Sequence, residues 1–325
     1  MAELRWNPLL RDWVMIASSR QNRPNLPKDW CPFCPGSGKV PEKYEVYKYD
    51  NDFPVLSQEP QEPGHKSTEL YKVRIAHGKC EVILYSPEHN KTLPQLSSTH
   101  INKLVELWID RFVELSRDEK IKYVFIFENK GESVGVTMPH PHGQIYGYPF
   151  IPKRIQMELD SAREHYEKHK SCIICDMLGE ESLSGERIIF ENDDFTAFIP
   201  FFSEYPYGIY IVSKKHTSNI TGLNEYERMN LARTIREAAG ALDYLFGFSF
   251  PYMMCMYQNP VNGEDYSSFS HFHIKFFPPM RASNKIKYNA SSETGAGAHC
   301  NPTSPENKAA ELRAAHEKFI AKEGV

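Results

Sequence analysis

The segment TMPHPHGQIYG (residues 137–147) places two histidines, a glycine and a glutamine at a spacing that suits phosphorus chemistry. In an extended strand, residues two apart face the same side, so His140 and His142 share one face. Gly143 would let a ligand approach the backbone closely. A neutral imidazole is a good nucleophile near pH 7, and Gln144 can donate to an oxygen of the attacked phosphate. The pattern favours His142 as a nucleophile oriented by the His140 carbonyl; the alternatives are a buried structural histidine or a metal ligand.

Two Cys-x-x-Cys pairs are each followed by histidines in the same order. Structural zinc sites take four thiolate or imidazole ligands in a tetrahedron, and mixed ligation of this kind favours zinc over iron. A redox dithiol is the alternative for either pair, and a solvated side chain beside two lysines is the alternative for His216. Four protein ligands would leave no open position, so both sites are expected to be structural. The predicted quartets are Cys31, Cys34, His89 and His140 in the first half, and Cys172, Cys175, His216 and His271 in the second.

The order of these features repeats along the chain, which is typical of an internal duplication. VILYSPEH (82–89) and IYIVSKKH (209–216) are each an apolar strand pattern, a serine, two further residues and a histidine, followed by a helical pattern. HPH at 140–142 matches HFH at 271–273. We expect two copies of one strand–helix–strand unit, joined in a continuous sheet with helices packed on it. The second copy is expected to be catalytically silent, because HFHIKFF lacks the glycine and the glutamine.

Length and composition restrict the classes of function. The chain has 325 residues, of which 25% are charged and 41% hydrophobic, and its formal net charge is −4. This balance gives no reason to expect a nucleic-acid or membrane partner. No basic start followed by an apolar segment and no run of about 18 apolar residues is present, so we expect a cytoplasmic protein. The first 65 residues, rich in proline, are expected to form ordered loops.

The longer segment FENKGESVGVTMPHPHGQIYG (127–147) resembles the active-site segment of the galactose-1-phosphate uridylyltransferase family, a branch of the histidine-triad superfamily. The resemblance spans nearly the whole chain and includes NPLLRDWVMIASSRQNRP, YDNDFPVL, SPEHNKTLPQLS, FPYMMCMYQNPVNGED and FHIKFFPP. It implies an α+β fold of two tandem histidine-triad-like units that form a continuous, mostly antiparallel sheet. The first unit (1–165) would carry HPHGQ, and the second (166–325) would carry the second metal site and the hexose contacts.

The resemblance also implies the reaction. UDP-glucose gives its UMP to His142 while glucose-1-phosphate leaves, and galactose-1-phosphate then takes the UMP to form UDP-galactose. Members of the family are usually dimers that share active sites across the interface, so a homodimer is expected. By position, Gln144 matches the residue that holds the transferred phosphate, and the first quartet matches the family's structural zinc site. The other implied contacts are Arg20, Arg23, Asn129 and Thr137 to phosphates, Asn51 and Asp52 to the nucleoside, and Lys287, Tyr288 and Glu293 to the hexose.

The chain departs from the family pattern at another metal site, which some members build from one glutamate and three histidines. Glu158 and His273 fit that site, whereas Tyr257 and Lys275 replace two of its histidines, so we expect it to be absent. The second quartet and ETGAGAHCNP (293–302) resemble instead a plant-type branch that acts as an ADP-glucose phosphorylase.

The alternatives are therefore AMP transfer from ADP-glucose to phosphate, or transfer by a related sugar-1-phosphate nucleotidyltransferase. Two further classes of protein remain open. One is a histidine-triad hydrolase, in which water resolves the intermediate, and the other is a binding module that uses zinc only for its fold.

Overall fold

The structure, a computed structural model, describes residues 2–22 and 30–323, and fourteen strands and five α-helices lie in those ranges. The strands are β1 (Ala2–Asn7), β2 (Asp12–Ala17), β3 (Tyr47–Asp50), β4 (Val73–Ile75), β5 (Lys79–Leu84), β6 (Tyr123–Lys130), β7 (His142–Tyr148), β8 (Ile188–Glu191), β9 (Phe195–Phe198), β10 (Ile209–Ser213), β11 (Tyr252–Tyr257), β12 (His273–Phe277), β13 (Met280–Ala282) and β14 (Lys285–Ile286). The α-helices are α1 (Ser98–Ser116), α2 (Lys153–His169), α3 (Ile173–Ser184), α4 (Glu225–Phe246) and α5 (Pro305–Glu323).

A nine-stranded sheet in the order β3-β5-β7-β6-β11-β12-β10-β9-β8 forms the centre of the described structure. Every neighbouring pair in it is antiparallel. The order β5-β7-β6 in the first half recurs as β10-β12-β11 in the second, and β6 pairs with β11 to join the halves. The predicted α+β fold, with two tandem units in one continuous sheet, is confirmed.

The expectation of loops throughout the first 65 residues is wrong for three segments. β1 and β2 form an antiparallel hairpin that runs from the pair Ala2 and Ala17 to the pair Asn7 and Asp12, and β4 extends this second sheet on the other side of β1. The third segment, β3, is the edge strand of the large sheet. All three strands have at most six residues, so their alternation is too short to stand out among the surrounding prolines and turn formers.

The two faces of the large sheet carry different layers, because side chains alternate along a strand. On one face, Val124 and Ile126 of β6 and Ile145 of β7 belong to the main core, together with apolar residues of α1 and α4. On the other face, Tyr123 of β6 and Tyr257 of β11 pack with residues of α2. α2 therefore covers the second-half part of this face and leaves the His142 end of β7 uncovered by a helix.

The principal helices begin and end where the sequence supplies the appropriate caps. The side chain of Ser97 accepts a hydrogen bond from the backbone N–H of His100 at the start of α1, and Asn224 with Glu227 forms a capping box at the start of α4. α4 ends at Gly247, whose φ of 76° lies in the left-handed region that glycine adopts without strain. None of the helices in residues 2–22 and 30–323 is both long and apolar enough to cross a bilayer.

A buried ion pair ties α1 to the strand beside β7. The guanidinium of Arg111 donates to both carboxylate oxygens of Glu81, at N–O distances of 2.7 and 2.8 Å, and Glu81 is fully buried. We predict that Arg111→Ala lowers the free energy of unfolding by about 3–5 kcal/mol, because it leaves a carboxylate buried and unpaired. Chemical denaturation measures the difference. Glu81→Leu/Arg111→Leu should recover most of the loss, and an Arg111→Ala protein as stable as the wild type would contradict the prediction.

Candidate functional site

A cavity of about 330 Å³ opens on the face of the sheet that α2 leaves uncovered. It brings together every predicted phosphate, nucleoside and catalytic residue that the structure describes; these are Arg20, Asn51, Asp52, Asn129, Thr137, His142 and Gln144. They come from distant parts of the chain; the neighbouring strands β6 and β7 carry Asn129, His142 and Gln144, and loops and turns carry the others. Arg23, the remaining predicted phosphate contact, lies outside the described residues.

His142 is the first residue of β7, and its ring orientation is set by its own backbone neighbourhood. Its Nδ1 lies 2.8 Å from the carbonyl oxygen of His140, so Nδ1 carries the proton and donates it to that oxygen. The lone pair of the neutral ring is then on Nε2. The ring of Phe33, whose centroid is 5.7 Å from that of His142, lines the same cavity. This arrangement matches the tautomer and orientation expected from the sequence.

Gly143 has a different role from the expected one. The expectation was that its missing side chain lets a ligand approach the backbone. A Cβ built on Gly143 would instead overlap the hydroxyl oxygen of Tyr85 and lie 2.9 Å from the Tyr85 Cζ and 3.0 Å from the carbonyl oxygen of Phe127. Since Tyr85 is buried in the main core, core packing requires a small residue at position 143.

Five aromatic side chains line the cavity and escaped the sequence-based prediction; Tyr49, Tyr146 and Phe33 are three of them. The hydroxyl of Tyr49 donates to both carboxylate oxygens of Asp52, at 2.8 and 3.0 Å, and burial together with Asp52 raises the pKa of Tyr49 to about 12. The hydroxyl of Tyr146 donates to Oε1 of Gln144 at 3.2 Å, which leaves the amide N–H groups of Gln144 as the donors. Phe33 is the third. Tyr146 could have been found, because it stands two residues after Gln144 in a strand.

The first predicted metal quartet is assembled. The ligand atoms of Cys31, Cys34, His89 and His140 all lie within 4.8 Å of one another. Nδ1 of His140 faces the Cys34 sulfur at 3.6 Å, and its Nε2 lies 2.8 Å from the carbonyl oxygen of Ser86, which fixes Nδ1 as the ligand atom. Burial and Cys31 raise the pKa of Cys34 to about 11, so a metal ion would have to displace a proton from this thiol.

The second predicted quartet is assembled in the same way. The ligand atoms of Cys172, Cys175, His216 and His271 also lie within 4.8 Å of one another. Nδ1 of His216 and Nδ1 of His271 face the sulfur of Cys175 at 3.5 and 3.3 Å. Their Nε2 atoms lie 2.8 and 2.9 Å from the backbone carbonyl oxygens of Ser267 and Ser213. Each quartet has two sulfur and two nitrogen donors, a set that could hold a metal ion of zinc type.

The second half repeats the geometry of the predicted nucleophile, but there the histidine is enclosed. Nδ1 of His273 donates to the carbonyl oxygen of His271 at 2.7 Å, as Nδ1 of His142 does to that of His140. In the place of Gln144 stands Lys275, whose Nζ lies 2.6 Å from Oε1 of Glu158 and 4.0 Å from the ring centroid of Tyr257. Residues of α2 cover this region and leave a space of only about 50 Å³.

The predicted hexose residues lie elsewhere in the chain. Nζ of Lys287 forms an ion pair with Oε1 of Glu293 at 3.1 Å, and Tyr288 between them is 73% exposed. None of these three described residues is among those that line the cavity at His142. Within one chain, the structure therefore does not bring the predicted hexose contacts to the predicted nucleophile.

Two family models together match nearly the full length of the chain. The model of the galactose-1-phosphate uridyl transferase N-terminal domain matches residues 1–152, and that of the C-terminal domain matches residues 158–314. The chain belongs to the galactose-1-phosphate uridylyltransferase family. The galactose-1-phosphate uridylyltransferase of Thermotoga maritima is 41% identical to it over 314 residues, which cover 96% of this chain and 98% of the relative. The family expected from the sequence is confirmed.

Solved structures of similar proteins separate the two main alternatives. A uridylyltransferase structure has a TM-score of 0.90 at 30% identity and covers 98% of this chain and 99% of its own. An ADP-glucose phosphorylase from Arabidopsis thaliana, with bound ADP-glucose, has a TM-score of 0.75 at 22% identity and covers 96% and 98%. The second likeness is one of fold alone. Uridylyl transfer is therefore better supported than adenylyl transfer.

We predict that each quartet binds one divalent metal ion, so the purified protein should contain two ions per chain. Cys31→Ser and Cys172→Ser should each remove one, because a thiolate ligand is lost. Elemental analysis of the desalted proteins measures the content. His165→Ala provides a control near the second quartet, since His165 contacts Asp176 and is not a predicted ligand. A Cys172→Ser protein that retains both ions would contradict the second site.

Proposed function

We propose that the protein moves UMP from UDP-glucose to galactose-1-phosphate through a covalent uridylyl-His142 intermediate. One observation carries this proposal most directly. The imidazole of His142 has Nδ1 committed to the His140 carbonyl at 2.8 Å and lines a cavity that also contains Gln144. A ring oriented in this way has its lone pair on Nε2, the atom that would attack the phosphorus in line.

The reaction consists of two displacements at one phosphorus atom. In the first, Nε2 of His142 attacks the α-phosphorus of UDP-glucose, a P–N bond forms, and the P–O bond to glucose-1-phosphate breaks. In the second, a phosphate oxygen of galactose-1-phosphate attacks the same phosphorus, the P–N bond breaks, and UDP-galactose forms. The leaving group of the first step departs as a phosphate anion, so the step needs charge stabilisation more than a general acid.

The polar residues of the cavity supply the other roles in this proposal. The guanidinium of Arg20 would hold the phosphates, and Asn129, Thr137 and the amide N–H groups of Gln144 would donate to their oxygens. Asn51 and Asp52 would contact the nucleoside, with Asp52 held in place by the Tyr49 hydroxyl. Arg23 would join the phosphate contacts on the sequence resemblance alone.

We infer zinc as the metal of both quartets, because two thiolates and two imidazoles are a typical structural zinc set. Zinc bound by four protein ligands would hold strand ends and loops together and leave the chemistry to His142. The proposed division of labour follows the two halves. Residues 1–165 would carry the nucleophile and the first zinc site, and residues 166–325 would carry the second zinc site and the hexose contacts without catalysis.

We propose a homodimer in which a second copy supplies the hexose contacts. Two observations support this proposal. Lys287 and Glu293 form a preorganised pair beside the exposed Tyr288, and none of these three residues lines the cavity of its own chain. A polar cluster with an exposed tyrosine suits a sugar, whose hydroxyls need donors and acceptors and whose ring face packs on aromatic side chains.

The net charge of −4 and the free cysteine pairs support a cytoplasmic enzyme without nucleic-acid or membrane partners.

The covalent intermediate is directly testable. Incubation with UDP-glucose alone should increase the mass of the wild-type protein by one UMP, and the adduct should be acid-labile because it is a P–N bond. His142→Ala should form no adduct, as measured by intact-protein mass spectrometry. His273→Gln is the matched control, since it alters the equivalent histidine of the second half and should keep the adduct.

The outcomes separate the candidate functions. An adduct of AMP mass from ADP-glucose, with none from UDP-glucose, would show that ADP-glucose is the donor and that the function is adenylyl transfer. Release of free UMP without any sugar-phosphate acceptor would indicate a hydrolase. An adduct that survives His142→Ala would contradict His142 as the nucleophile.

Subunit complementation tests the shared site. His142→Ala and Glu293→Ala homodimers should both be nearly inactive, because every site in them lacks either the nucleophile or a hexose contact. After random mixing of the two variants, about half of the dimers are mixed and one of their two sites is intact, so about a quarter of wild-type activity should return. Activity that stays at the level of the homodimers would show that each chain uses its own Glu293.

A further inference from the structure

The hydroxyl of Tyr85 is buried without a hydrogen-bond partner among the described residues. Tyr85 is 1% exposed and its ring packs edge-on against Trp108 of α1, with 6.0 Å between ring centroids. Burial, reinforced by the charge of Glu128, raises the pKa of Tyr85 well above its ordinary value, so the hydroxyl keeps its proton. An unpaired buried hydroxyl costs about 1–3 kcal/mol, so a phenylalanine would be the more stable choice. Stability therefore does not explain why this residue carries a hydroxyl.

The same oxygen fills the space behind the nucleophile strand. A side chain at Gly143 would begin where the Tyr85 hydroxyl lies, and Gly143 stands between His142 and Gln144. Successive residues of a strand face opposite sides, so the Tyr85 hydroxyl supports β7 from the core side while His142 and Gln144 face the cavity.

The backbone of Tyr85 holds the other side of His142. Its N–H donates to the carbonyl oxygen of Pro141 at 3.0 Å, and its own carbonyl oxygen is 2.7 Å from Nε2 of His100 in α1. Tyr85 thus contacts the residue before His142 through the main chain and the residue after it through the hydroxyl. The backbone on both sides of His142, at Pro141 and at Gly143, is therefore held by Tyr85.

The second half solves the same packing problem without a tyrosine hydroxyl. Ile274 follows His273 as Gly143 follows His142, and its side chain is fully buried in the main core. An aliphatic residue therefore suffices to fill this place in the half that we propose is silent. Only the half with the open cavity combines a glycine with an unpaired hydroxyl behind it.

We propose that Tyr85 is a positioning residue for His142, a role that rests on the proposed function of His142 as the nucleophile. Its hydroxyl sets the depth of β7 at Gly143, and its N–H sets the path of the chain at Pro141. Together they hold the His142 ring at the distance from the substrate phosphorus that in-line attack requires. Gly143 is the complementary half of this contact.

Two single variants and one double variant test the contact. Tyr85→Phe removes only the hydroxyl and should slow uridylyl-enzyme formation roughly 10-fold in single-turnover experiments, with the KM for UDP-glucose within about twofold. Gly143→Ala should slow it by at least about 100-fold, because the added methyl pushes β7 away from Tyr85. Tyr85→Leu/Gly143→Ala should be faster than Gly143→Ala by about 10-fold, because the shorter side chain vacates the space that the methyl needs.

Tyr207→Phe is the matched control, because it removes another tyrosine hydroxyl from the core, one that donates to Glu311 at 2.7 Å in the second half. Its rate should equal that of the wild type, and all variants should keep their metal content. A Tyr85→Phe enzyme with the wild-type rate, a change confined to KM, or a double variant no faster than Gly143→Ala would overturn the proposal. A wild-type protein that forms no adduct on His142 would instead remove the proposed function, and the role of Tyr85 with it.

Discussion

A single residue, His140, joins the candidate metal site to the candidate nucleophile. Its Nδ1 belongs to the first quartet, its Nε2 is 2.8 Å from the Ser86 carbonyl oxygen, and its own carbonyl oxygen accepts a hydrogen bond from Nδ1 of His142. A hydrogen bond to a backbone carbonyl orients an imidazole only as well as that carbonyl is itself held. A metal ion at the quartet would hold the His140 ring, and the His140 carbonyl would in turn restrain the His142 ring. The metal ion would not need to contact the substrate. The tautomer of His142 and the geometry of the quartet therefore meet at this one residue.

The duplicated half has the same link, and we propose that this half is catalytically silent, so the link alone is not sufficient for the proposed chemistry. His271 and His273 reproduce it, with the same quartet and nearly the same hydrogen-bond length. What differs is the surroundings: Lys275 ion-pairs with Glu158, and α2 leaves a space of about 50 Å³ where the first half has about 330 Å³. A lysine whose Nζ is already paired with a carboxylate has little to offer a phosphate, and a phosphate cannot reach a covered ring. In this proposal, the residues around the histidine pair, and not the pair alone, decide whether it can act on a phosphate.

Much of this could be predicted from the sequence, for reasons that lie in the residues. Both quartets and the His142–His140 contact follow from spacing, because a two-residue repeat and a Cys-x-x-Cys knuckle leave few geometries. The short strands β1 and β2 could not be found, since a few alternating residues next to Asn-Pro carry too weak a signal. The sequence predicts that Gly143 leaves room for a ligand, whereas the structure places the tight contact on the core side. A glycine in a strand does not indicate on which face of the sheet a side chain would clash. That answer requires Tyr85, 58 positions away in sequence, and the register of β5 against β7 that brings it there.

The separation of the cavity at His142 from the predicted hexose residues suits the proposed reaction with two displacements. In that proposal, UMP stays on His142 between the steps while one sugar phosphate leaves and another enters. In the first-half cavity, the polar groups that would hold UMP are braced by side chains of the same chain, as Asp52 is by Tyr49 and Gln144 by Tyr146. Lys287 pairs with Glu293, and its Nζ lies 5.7 Å from the ring centroid of Tyr205, outside the cavity at His142, so movement of this pair during sugar exchange need not disturb the proposed nucleotide contacts. If a second copy supplies them, the interface between chains becomes the place where the two sugars are exchanged, and the rigid sheet remains the place where the phosphorus is held.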